Sequence, residues 1–190
     1  IFAGVGSSKT KENSYQAGFE ACKLAMKKMG GDNPDFTIAF ASIMFDQNEL
    51  VRGIREASGN APGIGCSDAG EITNEGPNSK SVAVMAIKSD QIQFVNGLGV
   101  DIKTNARAAG AAGDDFLFQK TYEYRDSEVV SGAVAGVGIS GTFSFGLGVR
   151  HGWVPIGIPM KVTKSKGSVL YELDGRPAIS IYEDYFGAQA

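Results

Sequence analysis

An α/β fold built on a mixed sheet with flanking helices is what this sequence predicts, and three observations predict it. The run Phe36 to Phe45 (FTIAFASIMF) is almost continuously apolar and rich in strand formers, as in a strand buried on both faces. On either side of it, apolar residues recur at three- and four-residue spacing, the pattern of helices lying against such a sheet. Beyond Glu71 the period changes to alternation, which suits antiparallel strands.

Taken in order, Ile1 to Gly6 is a short apolar segment and Ser7 to Thr10 a polar turn. From Asn13 to Met29, Tyr15, Phe19, Cys22, Met26 and Met29 share one helical face. Asn13 or Ser14 can cap this helix, and Lys27, Lys28 and Gly30 close it, so Cys22 is expected in the core. Gly31 to Pro34 turns the chain into the Phe36 strand, and Asp46 opens a second helix, Gln47 to Ala57, with Leu50, Val51 and Ile54 inward. Strand, helix and strand in succession predict a parallel pair. The next strand ends in Pro62 to Ile72 (PGIGCSDAGEI). Ser81 to Ile87 and Ile92 to Leu98, joined by the turn Lys88 to Gln91, read as an antiparallel hairpin. Thr121 to Tyr124, Glu128 to Ile139 and Thr142 to Val149 are strand-like, with turns at Arg125 to Ser127 and Ser140 to Gly141. Asp174-Gly175 suits a tight hairpin, and Pro177 to Tyr185 reads as a final helix.

Composition narrows the function classes. The 190 residues are 43% hydrophobic and 21% charged with a net charge of -3, enough for one large domain or two small ones. The acidic balance, without a basic run or a lysine-rich face, argues against nucleic acid or an anionic membrane as partner. No apolar run reaches the roughly 20 residues needed to cross a bilayer, and the N-terminus lacks a signal-peptide plan, so a cytoplasmic protein is expected. Cys22 and Cys66 form neither a metal-ligand spacing nor a disulfide framework.

The chain also repeats itself. Gly4-Val5-Gly6 is echoed by Gly97-Leu98-Gly99, NSYQAG from Asn13 by NARAAG from Asn105, and Gly65 to Ser89 by Ala111 to Ser140. Phe19 to Gly63, with two helices and a strand, has almost no counterpart. The second half is therefore expected to lack a helix-strand-helix insert near Gly110, which leaves part of its sheet without helical cover and open to another chain.

Two glycine-rich loops that close on acidic residues are the candidate site. In the first, Gly65 and Gly70 permit close approach and sharp turning, and Cys66, Ser67, Asp68 and Glu71 supply polar groups. In the second, Gly113 precedes Asp114 and Asp115. Adjacent carboxylates in extended chain point different ways and rarely address one atom, so either one of them holds a ligand's amine or a metal or, the favoured reading, they cap a turn. Cys66 and Ser67 have no nearby histidine to act as base, and no acid-base pair has a credible spacing, so no catalytic residue is assigned and an enzyme is not expected. His151 is the only histidine, and in its Gly-Trp turn it reads first as a hydrogen-bonded structural residue. As a ligand-site candidate it offers one imidazole, which suffices for the proximal side of a haem but not for an ordinary zinc site, and Trp153 with Met160 could line an apolar pocket. No metal centre is therefore expected unless His151 binds haem.

GVGSSKT, FASIMFDQNELVRGIREA, PGIGCSDAGEI, GAAGDDFLFQKTY and HGWVPIGIPMKVTKSKGSVLYELDGRPAISIYEDYFG, in this order, resemble the FIST domain family. The resemblance implies a FIST N-like sensory domain over residues 1–147 and the beginning of a FIST C-like domain over 148–190. It implies a bacterial intracellular sensor of small ligands such as amino acids, coupled to a signalling protein such as a histidine kinase or chemoreceptor. Some members resemble haem-binding nitric oxide sensors, which leaves haem open through His151. A protein-interaction module, including a homo-oligomer, is the remaining alternative.

Overall fold

A computed structural model describes the chain except residues 101–111, 147, 149–153, 156 and 188–190. It is an α/β structure with a mixed sheet, as its sequence predicts, and it divides into two compact units, Ile1–Phe145 and Gly146–Ala190.

The first unit is organised on a six-stranded sheet. Its strands are β1 (Phe2–Ser8), β2 (Phe36–Ser42), β3 (Gly63–Asp68), β6 (Val82–Lys88), β8 (Glu123–Arg125) and β9 (Glu128–Val130), in the order β1-β6-β2-β3-β8-β9. A two-residue hairpin, β4 (Ile72–Thr73) with β5 (Gly76–Pro77), lies between β3 and β6 in the chain. Helices α1 (Ser14–Met29) and α2 (Gln47–Ala57) fall where the apolar periodicity puts them. Asn13 caps α1 by accepting the Gln16 N–H at 3.0 Å, and Asp46 caps α2 by accepting that of Glu49 at 3.0 Å. β2 and β3, on either side of α2, pair in parallel.

Burial explains the packing. Along α1 the small residues Ala17, Ala21 and Ala25 are fully buried with Cys22, beside Val82, Val84 and Ala86 of β6. The stripe lets α1 lie close on β1, where Gly4 and Gly6 receive it: a Cβ on Gly4 would collide with the carbonyl oxygen of Ala25, and one on Gly6 with that of Ala21.

The second half of the unit repeats the first. β7 (Ile92–Val100) pairs with β10 (Ala133–Gly141) antiparallel, as β1 pairs with β6. Gly4 faces Ala86 and Gly6 faces Val84; their echoes Gly97 and Gly99 face Gly136 and Val134. The inner side of this ribbon is anchored to the large sheet. Phe94 stacks on Phe36 with ring centroids 5.0 Å apart, and Asn96 donates to the Asp126 carboxylate at 2.7 Å and the Gly63 carbonyl at 3.2 Å.

Several expectations are corrected. β6 and β7 are consecutive but do not form a hairpin, because β1 and β2 occupy both edges of β6 and β7 belongs to another sheet. The first strand runs on through Ser7 and Ser8, which alternation with Gly6 carries into the sheet edge. The Phe36 strand stops at Ser42, where the Ser42 hydroxyl accepts the Met44 N–H at 3.2 Å and turns the chain. Glu128 to Ile139 is two strands, broken at Gly132 with φ of 71°. The strand proposed from Thr142 is absent over residues 142–146.

In the second unit, β11 (Val162–Lys166), β12 (Val169–Leu173) and β13 (Arg176–Pro177) form an antiparallel meander followed by α3 (Ile179–Phe186). Asp174 and Gly175 make the tight turn with φ of 47° and 77°. The final helix starts two residues later than expected, since Pro177 belongs to β13. None of the described residues of this unit is buried.

Candidate functional site

Parallel β2 and β3 end side by side, with Ser42 in register with Asp68, and the acidic loops converge on these ends. Open α/β sheets bind ligands at such carboxyl ends.

Ser67, wholly buried, sews the second loop to β3. Its hydroxyl donates to the Gly113 carbonyl at 2.7 Å and accepts the Tyr122 N–H at 2.9 Å, while its own N–H and carbonyl pair with Tyr122 and Gly113 at 2.8 Å. Gly113 lies so close to Asp68 and Ala69 that a Cβ would come within 2.8 Å of the Ala69 nitrogen. Ser67→Ala is therefore expected to cost about 1–3 kcal/mol, because a buried carbonyl and N–H lose their partner. Chemical denaturation at neutral pH checks it.

The two aspartates of the loop divide their work. Asp114 is buried and accepts the N–H groups of Gln119 at 2.6 Å, Phe118 at 3.1 Å and Lys120 at 3.2 Å. These bonds, that from Gln119 above all, hold its carboxyl below the ordinary range. Asp115 instead turns to the strand ends and accepts the Ser42 hydroxyl. Asp115, Phe116 and Phe118 all have φ between 53° and 63°, a conformation that costs a bulky residue about 1–3 kcal/mol.

Asp68 and Glu71 complete the cluster. Glu71 is 3% exposed and accepts the Ser81 hydroxyl through one oxygen, while Glu71 Oε1 and Asp68 Oδ1 are buried with no hydrogen-bond partner. Burial first, then the charge of Glu71, a hydrogen bond to Glu71 and the charge of Asp115 push the Asp68 carboxyl up to about 7. A proton shared with Glu71, or a donor from outside, satisfies these oxygens.

The other candidates have different places. Gly65 is a packing position, since a Cβ there would collide with the Ala39 carbonyl. Gly70, with φ of 151°, turns the chain between Asp68 and Glu71. The Cys66 thiol is pushed up to about 11 by burial and by the charges of Asp68 and Glu123, which keeps it protonated. His151 and Trp153 lie outside the described residues, and the described residues contain no histidine. Among the described residues no group of three or more His, Cys, Asp and Glu is arranged to hold a metal ion.

Ser42 and Ser81 belong to the cluster but were not among the candidates from sequence, which did count Asp68 among the polar groups of the first loop. The rule that ligands sit at the carboxyl ends of adjacent parallel strands would have pointed to Ser42. An open groove beside the cluster is lined by Ala69, Ala112, Phe116, Phe118 and Lys120, and Phe116 and Phe118 are 75% and 89% exposed.

Known proteins bear on this geometry. The family model described as FIST N domain matches residues 35–111 and 93–176. An uncharacterized protein of Methanocaldococcus jannaschii is 40% identical over 73 residues, which cover 38% of this chain and 14% of that protein, so the chain spans only a small part of its relative. No solved structure matches.

Proposed function

We propose that this chain, which belongs to the FIST N domain family, senses a small ligand bearing an ammonium group, such as an amino acid, held over Asp68, Glu71 and Asp115. Domains of this family are small-ligand sensory modules of signal transduction. The observation that carries the reading is the pair of buried carboxylate oxygens without partners in a cluster of three acidic residues. Burying such oxygens unpaired is costly, and an N–H donor carrying positive charge offsets both the lost hydrogen bonds and the repulsion. Asp115 stands on a strained loop that Ser67 ties to β3, so closing a ligand between Asp115 and Asp68 couples occupancy to loop geometry. The output partner is a signalling protein of the histidine kinase or chemoreceptor kind, in the cytoplasm, with residues 148–190 beginning the next domain.

A thermal-shift panel of the common amino acids and their N-acetyl forms tests the reading. At least one free amino acid is expected to raise the melting temperature, its N-acetyl form to have no effect, and Asp115→Asn to remove the response without unfolding the domain. Equal shifts with both forms, no shift with any, or an unaltered response in Asp115→Asn overturns it.

A further inference from the structure

Building on the ligand reading above, we infer that Gln47 is a positioning residue of the acidic site: with Tyr124 it fixes the turn that presents Ser42 to Asp115, and so joins the start of α2 to the site. Residues 42–46 carry the chain from β2 into α2, and Ser42 at their head serves two groups at once. Its hydroxyl donates to Asp115 while accepting the Met44 N–H at 3.2 Å.

One buried side chain holds this turn from within. Gln47, the first residue of α2 and 6% exposed, donates through Nε2 to the Ser42 carbonyl at 3.2 Å and the Phe45 carbonyl at 2.6 Å, and its Oε1 accepts the Tyr124 hydroxyl. Burial above all keeps the Tyr124 phenol protonated, so Tyr124 is the donor and the amide has one orientation. Both N–H groups of the amide and its oxygen are then used. An apolar side chain here would strip the Tyr124 hydroxyl of its acceptor and the two carbonyls of a donor.

β8 closes the arrangement into a ring. Tyr124 lies opposite Gly65 of β3, and two residues earlier the Tyr122 N–H is accepted at 2.9 Å by Ser67, whose hydroxyl donates to the Gly113 carbonyl at 2.7 Å. Both partners of the Asp115–Ser42 bond are thus anchored to one stretch of chain, Asp115 through Gly113 and Ser67, Ser42 through Gln47. Ser42, Gln47, Ser67 and Tyr124 are all buried, where a hydrogen bond is strong and an unpaired group costly, so a cut at one bond loosens its neighbours. The carboxylate that meets the ligand's ammonium group is therefore set in place from Gln47 as well as from its own loop.

Hydrogen exchange of the full chain, followed by mass spectrometry, tests this with two variants. Gln47→Met removes the amide at similar length, and Tyr124→Phe, the milder cut, removes only the hydroxyl. Each is expected to speed exchange at least fivefold over residues 113–119, where the N–H groups of Gly113, Leu117, Phe118 and Gln119 are bonded, while α1 exchanges at the wild-type rate. Affinity for the amino acid with the largest thermal shift is expected to fall at least fivefold in both. Should Gln47→Met unfold, Tyr124→Phe alone decides. Faster exchange confined to residues 42–57, a rise in α1 as large as that of the loop, or an unchanged affinity overturns the inference. Where no amino acid shifts the wild type, the ligand reading has failed by itself, and exchange over residues 113–119 still decides whether Gln47 holds the Asp115 contact.

Discussion

Gly6→Ala is expected to destabilise the chain by about 3 kcal/mol or more, while the same change at its repeat partner Gly99 is expected to be neutral or mildly stabilising. At Gly6 the added methyl would meet the backbone of Ala21 and Ala25, atoms that can move only if α1 lifts from β1. Lifting it exposes part of a core that includes Cys22, Val82 and Val84. At Gly99 the methyl enters open space, and alanine restricts the unfolded chain more than glycine does. With a urea dependence of about 2 kcal/mol/M, the Gly6 variant loses about 1.5 M in its midpoint and the Gly99 variant stays within a few tenths. Similar losses in both would mean that a helix covers both faces in solution, and two neutral variants would mean that α1 does not lie on β1.

The second large effect is on pH. Ligand affinity is expected to fall by up to about 100-fold between pH 8 and pH 5, because an ammonium ligand requires ionised Asp68 and each pH unit below its pKa costs up to tenfold. Burial and the neighbouring acids raise Asp68 to about 7, so the titration falls between pH 6 and 8. Stability of the ligand-free chain moves the other way. A carboxyl raised by folding favours the folded state below its unfolded pKa near 4, and that contribution is lost as pH rises through about 7. Asp68→Asn should therefore stabilise the free protein at pH 8, by about 1 kcal/mol after allowance for its partial exposure, while weakening the ligand. Calorimetric titration with the amino acid that gives the largest thermal shift measures the first arm, and melting curves from pH 5 to 8 the second. A pH-independent affinity would place the ammonium group elsewhere.

The division of labour between Asp114 and Asp115 shows how far local chemistry reaches. That the two carboxylates should point different ways follows from alternating side-chain direction, yet that one caps and the other does not depends on the path of residues 116–120, where Asp114 gathers three N–H groups. Asp68 shows the opposite limit. Nothing beside it in the chain explains its raised pKa except Glu71; the remainder comes from burial at a strand end and from Asp115, brought in by Ser67 and Gly113. The absent β6·β7 hairpin has the same origin, since alternation identifies strands but cannot choose their partners when a better edge is offered by β1 and β2.

The amino-acid sequence by itself determined the two helices with their caps, the buried strand between them, the internal repeat and the two acidic loops. Each is written in contiguous residues through periodicity, capping oxygens or glycines. Only the tertiary structure decided that Ser42, Asp68, Glu71, Ser81 and Asp115 share one place, and that Gly4 and Gly6 lie beneath a helix while Gly97 and Gly99 meet none among the described residues. Those outcomes depend on which strands pair and which faces are covered, free energies that arise between segments far apart in the chain and leave no mark on any one of them.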